Sequence, residues 1–185
     1  MLYLHFGSQP PGQVVLQVLG SGGPIADDGR ASTGYLVWVD GHARALIDAG
    51  GGTFLRFGEA GAKFEDLDFV GLSHFHTDHS ADFPALIKSG NFSPRNRPLP
   101  VAGPDGDGAF PGLDGYLQAL FGEGGAATYG DGKLYTRNGD ELEGAIVEEL
   151  VDTLLYLGGL GGSDRHLLVF EGRTELILDL LAEAL

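Results

Sequence analysis

The stretch Gly71–Asp82 reads GLSHFHTDHSAD and places three of the chain's six histidines within six residues. His74 and His76 stand two apart, so if the extended run FVGLS persists into them, their rings project to one side. Asp78 and His79 then follow from the next turn. Imidazole nitrogen suits divalent zinc, iron and manganese, and a carboxylate adds the negative charge that favours a second, adjacent cation. H-x-H-x-D-H therefore supplies half-shells for one or two ions. In a chain with this much histidine and aspartate, a chance occurrence is roughly one in two thousand. A polar loop whose imidazoles merely hydrogen-bond carbonyls is the weaker reading.

Outward from the cluster, the pattern alternates short apolar runs with turn signals. Downstream, ADFPALIKSG predicts a helix with Pro84 in its first turn and Gly90 at its end. PLPVAGP predicts a short strand, and PGLDGYLQALFG a helix with Leu113, Tyr116, Leu117 and Leu120 at helical spacing. Upstream, VVLQVLG reads as a buried strand entering the tight turn GSGGP. GYLVWV and ARALID flank Asp40-Gly41-His42, a glycine-containing turn that predicts an antiparallel hairpin. Asp48 closes that second strand, where the chain turns toward a short helix over TFLRFGEAG; strand ends are where sites are built. Beyond Phe121 the chain loosens into a glycine-rich stretch. Asp140 and Glu143 then form a capping-box pattern before an apolar helical run, Leu142 to Leu157. HLLVFEGRTELIL reads as a hairpin turning near Gly172-Arg173, although its end could equally be a terminal helix.

Composition bounds the rest. A length of 185 residues predicts one domain, residues 1–185. Lys plus Arg number 11 against 26 Asp plus Glu, a formal charge of -15, which opposes a sequence-independent grip on a phosphate backbone or an anionic membrane. Nucleic acid is disfavoured as a surface partner on that ground, though not excluded. With no cysteine, any metal must sit on nitrogen and oxygen. No basic leader and no long apolar run is visible, so a soluble, cytoplasmic protein with no membrane partner is expected.

The motif HFHTDH, carried by His74, His76, Asp78 and His79, resembles the signature of the metallo-β-lactamase-fold hydrolases. LGSGGP, the hairpin GYLVWVDGHARALIDAGGGT and HTDHSADFPALIKS are similar to the branch containing the tRNA 3′-end processing endonucleases and related phosphodiesterases. The resemblance covers residues 13–121; residues 122–185 are atypical. It implies an α+β fold, an αββα sandwich, shortened in its C-terminal half. It also implies a metal-dependent hydrolase in which one or two ions, Zn2+ with Fe or Mn as alternatives, activate water against a phosphodiester or a small-molecule ester substrate. By position, His74 and His76 would hold the first ion, and Asp78 and His79 the second. Asp78 would also orient the catalytic water. Asp48 would support a histidine from behind, with a simple strand-end cap as the alternative.

Family members complete both ions with residues from later strands, and this chain offers few. His166, Asp140 and Asp179 are the downstream metal-ligand candidates; His5 and His42 lie upstream in a terminus and a turn. A shortened, catalytically inactive metal-binding or oligomerisation domain of the same fold is therefore the rival expectation. A homo-oligomer whose partner supplies the missing ligands is a third. Other signals are weaker. GSGGP lacks the Lys-Ser/Thr pair of a phosphate loop. PDGDGAF puts Ala109 where a calcium loop needs its third oxygen. Ser73 and Ser80 flank histidines that metal ligation leaves unable to act as a base, which disfavours a serine nucleophile.

Overall fold

Asp40 and Gly41 both take positive φ, 52° and 79°. This is the type I′ turn whose twist matches that of the strands it joins. It connects β2 (Gly34–Val39) to β3 (His42–Ile47) as the DG signal predicts. The computed structural model of the protein describes residues 13–121 and two further strands, 134–136 and 167–170. Asp140, His166 and Asp179, and the expected helix over 142–157, lie outside the described residues.

Around that hairpin a mixed seven-stranded sheet forms in the order β6-β5-β4-β3-β2-β1-β7. β1 (Val14–Gly20) pairs antiparallel with β2 and with β7 (Leu167–Phe170). On the other side β3, β4 (Phe69–Gly71), β5 (Leu99–Ala102) and β6 (Leu134–Thr136) run parallel. The parallel strands need helical crossovers, and the chain supplies them. α1 (Thr53–Glu59) and a 3-10 turn (Phe64–Asp66) lead from β3 to β4. α2 (Thr77–Ser80) and α3 (Phe83–Gly90) lead from β4 to β5, and α4 (Leu113–Phe121) follows β5.

Strand alternation decides which side chains meet these helices. Val15, Leu36, Trp38, Leu46, Val70 and Val101 share one sheet face with Phe57 of α1, Phe83 and Leu86 of α3, and Leu113 and Leu117 of α4 in one buried cluster. Each such side chain contributes about 1.5–3 kcal/mol on burial. Trp38 donates its indole N–H to Gln17 at 2.9 Å, so the polar atom of this buried ring is satisfied. At the N-terminal end of the parallel strands sits Arg95, 3% exposed. Its guanidinium donates to the carbonyls of Leu67, Pro98, Arg97 and Glu65, and burial pushes its pKa down to about 10, which leaves it charged at neutral pH. The opposite, C-terminal end of β3, β4 and β5 holds Asp48, the histidine cluster and Gly103. That is the end of a parallel sheet where ligands ordinarily bind.

Among the described residues no helix is long and apolar enough to cross a membrane. The loop PDGDGAF is exposed, as expected of a solvated loop. His42, expected in the turn, instead opens β3; its side chain is 60% exposed and pairs with Asp66 at 3.0 Å.

Candidate metal centre

β4 ends at Gly71, earlier than the FVGLS pattern predicts, so His74 and His76 do not lie on a strand. Their rings meet for another reason. The chain leaves the sheet, His76 takes an extended conformation (φ -61°, ψ 149°) as the cap of α2, and Asp78 and His79 follow on that single helical turn. The ring centroids of His74 and His76 are 4.7 Å apart, and those of His74 and His79 3.9 Å.

The loop is pinned from several sides. Asp48 N–H donates to Gly71 O at 2.8 Å and Ala49 N–H to His79 O at 2.7 Å, which ties the end of β3 to both ends of the motif. Thr33 N–H reaches Asp78 O at 3.0 Å. That carbonyl lies so close to Gly50 that a Cβ there would stand 1.9 Å from it; only glycine fits. Ser80 Oγ donates to the carbonyls of Phe75 and His76. Phe75, between the two histidines, stacks on Tyr116 of α4 with centroids 4.3 Å apart and planes 8° from parallel. Asp82 Oδ2 accepts from Gly52 N–H at 2.8 Å and Phe54 N–H at 3.0 Å. It thereby caps α1, whose own N-cap, Gly52, has no side chain to do so.

Beneath the rings lies Asp48, fully buried, with a positive φ of 59° that Asp tolerates better than most residues. Its carboxylate accepts from Ser73 N–H at 2.8 Å and from His79 Nδ1 at 2.7 Å, and Ser73 Oγ lies 2.8 and 3.0 Å from its two oxygens. Asp48 thus touches both a histidine ring and a backbone amide. Burial pulls the His79 pKa down, but the hydrogen bond and charge of Asp48, with Asp78 beyond, raise it overall. His74 moves the other way, lowered first by burial and then by repulsion from His79 and His76.

His74, His76 and Asp78 each offer a ligand atom, all within 4.8 Å of one another. Ligand atoms around one tetrahedral zinc stand about 3.3–3.6 Å apart, so a shared ion requires these side chains to draw together from the separation seen here. The donors are two nitrogens and an oxygen, and the environment of His74 favours the neutral form that ligates. The set fits a divalent transition metal. His79 stands beside the group, its Nε2 3.5 Å from Asp78 Oδ2.

The sequence profile of the Metallo-beta-lactamase superfamily matches residues 27–177. The chain belongs to the metallo-beta-lactamase superfamily. The superfamily match reaches residue 177, beyond the 121 at which the motif resemblance ends. Ribonuclease Z of Agathobacter rectalis is 34% identical over 89 residues, which are 48% of this chain and 29% of that protein. Ribonuclease Z of Haloferax volcanii is 35% identical over 107 residues, 58% of this chain and 31% of that protein. The matches thus span less than a third of these relatives' length. Two solved structures share the superfamily fold. A metallo-beta-lactamase fold protein from Bacillus subtilis has a TM-score of 0.52 at 23% identity, over 69% of this chain and 46% of that one. The short form of human tRNase Z has a TM-score of 0.52 at 19% identity, over 66% and 43%. Relatives named as ribonucleases weigh against the expectation, drawn from net charge, that nucleic acid is disfavoured. Net charge governs long-range, nonspecific attraction; cations held at a site alter the local field independently of it.

Sequence reasoning missed three contributors: Ser73, set aside as a nucleophile, Asp82 and Tyr116. Ser73 and Asp82 bond back to Asp48, Gly52 and Phe54, 25 or more positions away, and Tyr116 acts through stacking; periodicity carries no trace of such contacts.

Proposed function

We propose that the protein is a metal-dependent phosphodiesterase acting on nucleic acid. The observation that carries the reading is the convergence of His74, His76 and Asp78 above the buried Asp48, in a chain whose curated relatives include ribonuclease Z. His74, His76 and Asp78 would hold an ion, Zn2+ or else Fe or Mn, with His79 and Asp78 available to a second. When bound, the metal supplies positive charge to a phosphoryl oxygen and lowers the pKa of a water.

The chain's own residues do the rest. Asp48 holds His79 by its Nδ1, so that Nε2 faces Asp78. Asp78, anchored through its carbonyl by Thr33, orients the attacking water with its carboxylate. Hydrolysis adds that water across one P–O ester bond, leaving a phosphomonoester and an alcohol.

A second reading has its own support. All the ligand candidates among the described residues come from 74–79, and the matched stretches are a fraction of the relatives' length. On that reading the protein binds metal without turnover, alone or completed by a second copy. The test is the metal content of the purified chain after dialysis against zinc, iron or manganese, with hydrolysis of bis(p-nitrophenyl) phosphate and of a 3′-extended tRNA precursor. The phosphodiesterase reading expects uptake, and cleavage lost on chelation and in His76→Ala. Uptake of one equivalent with neither substrate cleaved supports the second reading, and no uptake refutes both.

A further inference from the structure

We infer that Ser73 is a positioning residue that fixes which nitrogen of His74 carries its proton. The hydroxyl of Ser73 sits between four polar atoms: Asp48 Oδ2 at 2.8 Å, Asp48 Oδ1 at 3.0 Å, His74 Nδ1 at 3.1 Å and His79 Nδ1 at 3.3 Å. A hydroxyl has one proton to give and two lone pairs to receive with. Two of its neighbours are oxygens of a fully buried carboxylate, which can only accept. Were the serine proton pointed at a histidine, the serine lone pairs would face carboxylate lone pairs at under 3.1 Å in a water-excluded setting, a costly arrangement. The proton therefore goes to Asp48.

That choice determines the next. With its proton committed, Ser73 Oγ meets His74 Nδ1 only as an acceptor, so Nδ1 carries the hydrogen and Nε2 is left with its lone pair free. His79 reaches the same state more directly, donating Nδ1–H to Asp48 Oδ2 at 2.7 Å. One carboxylate thus sets two imidazoles: one by contact, the other relayed through a serine. Free histidine prefers the opposite form, with the hydrogen on Nε2, so the relay works against the intrinsic preference of the ring.

The consequence for metal affinity rests on the metal-centre reading above, but the tautomer is measurable without any metal. The full chain is labelled with 15N-histidine, stripped with chelator, and its long-range 1H–15N correlations recorded at a pH where His74 is neutral. His74→Gln identifies the signal. The wild type is expected to show His74 with hydrogen on Nδ1. Ser73→Ala is expected to shift it mainly to Nε2 and to weaken zinc binding by about 10- to 100-fold, while Ser73→Thr retains both properties. Hydrogen on Nε2 in the wild type overturns the inference, even if Ser73→Ala does not fold. So does a folded Ser73→Ala that keeps hydrogen on Nδ1. An Nδ1–H form in a wild-type protein that takes up no zinc supports the Ser73 assignment and overturns the metal-centre reading instead.

Discussion

Asp48→Asn removes a charge while leaving the backbone alone, because Asn accepts the positive φ of this position as readily as Asp. Its effect can be worked from the contacts. Oδ1 of the new amide can keep the Ser73 N–H. Nδ2 then takes the place of Oδ2 and presents a donor to His79 Nδ1 at 2.7 Å, which also donates, whereas Ser73 Oγ can turn its proton to Oδ1 and accept from Nδ2. Hydrogen bonds to a charged acceptor contribute about 1.5–3 kcal/mol and neutral ones about 0.5–1.5 kcal/mol. Weakening three of them, one mismatched, predicts a loss of about 2–4 kcal/mol. His79 can relieve the mismatch by moving its hydrogen to Nε2, which spends the lone pair that faces Asp78, and zinc affinity should fall about 10- to 100-fold. Urea denaturation of the metal-free protein should show a lower midpoint with an unchanged slope, and a chelator competition titration reads the affinity. Asp114→Asn, on the exposed side of α4, is the control. If Asp48→Asn matches that control in both measurements, the carboxylate does not organise the site.

Gly50→Ala should be severe for its size: the new methyl would lie 1.9 Å from the Asp78 carbonyl, which cannot retreat without dragging the motif turn. A loss of about 1–3 kcal/mol or more in thermal or urea unfolding is expected, and an unchanged midpoint would contradict the packing described. Tyr116→Ala removes the stack on Phe75, worth about 0.5–1.5 kcal/mol beyond area burial, and should loosen zinc binding several-fold. Tyr116→Phe should restore both stability and affinity; equal binding by all three forms would show that the stack does not hold the histidines. In the metal-free protein, imidazole shifts followed against pH should show His79 titrating above 6.5 and His74 below it. His79, holding its proton more tightly when folded, contributes stability that is full below pH 6.5 and lost as pH rises through its folded value. His74 has the opposite sign: its cost is present at low pH and fades as pH rises toward 6.5. A reversed order of titration would refute the assigned environments.

Local signals were legible wherever the chain alone decides the structure. The Asp-Gly turn set the β2–β3 hairpin, and Pro84 and Gly90 bracketed α3 as expected. The spacing of Leu113, Tyr116, Leu117 and Leu120 gave α4, although Tyr116 spends its ring on Phe75 as much as on the core. The histidine cluster was visible from composition, yet the reason its rings converge was not. Strand alternation was the expected cause, whereas a turn out of the sheet, anchored by Asp48, Ser73 and Thr33, is the observed one. Such anchors join residues far apart in sequence, and only the assembled fold reveals them. His166, Asp140 and Asp179 fall outside the described residues, so the sequence expectation for them stands as it was.

The carboxylate of Asp82 has a wider effect than closing one helix end. It belongs to the segment that carries the ligands, yet it caps the helix that follows β3, so fraying of that segment exposes the Gly52 and Phe54 amide donors, and fraying of α1 strips the carboxylate of both. Native-state hydrogen exchange should therefore find Gly52 and Phe54 opening together with the amides of 78–82, as one cooperative unit. A substrate or cation that steadies the histidines would, through the same contact, slow exchange at the start of α1.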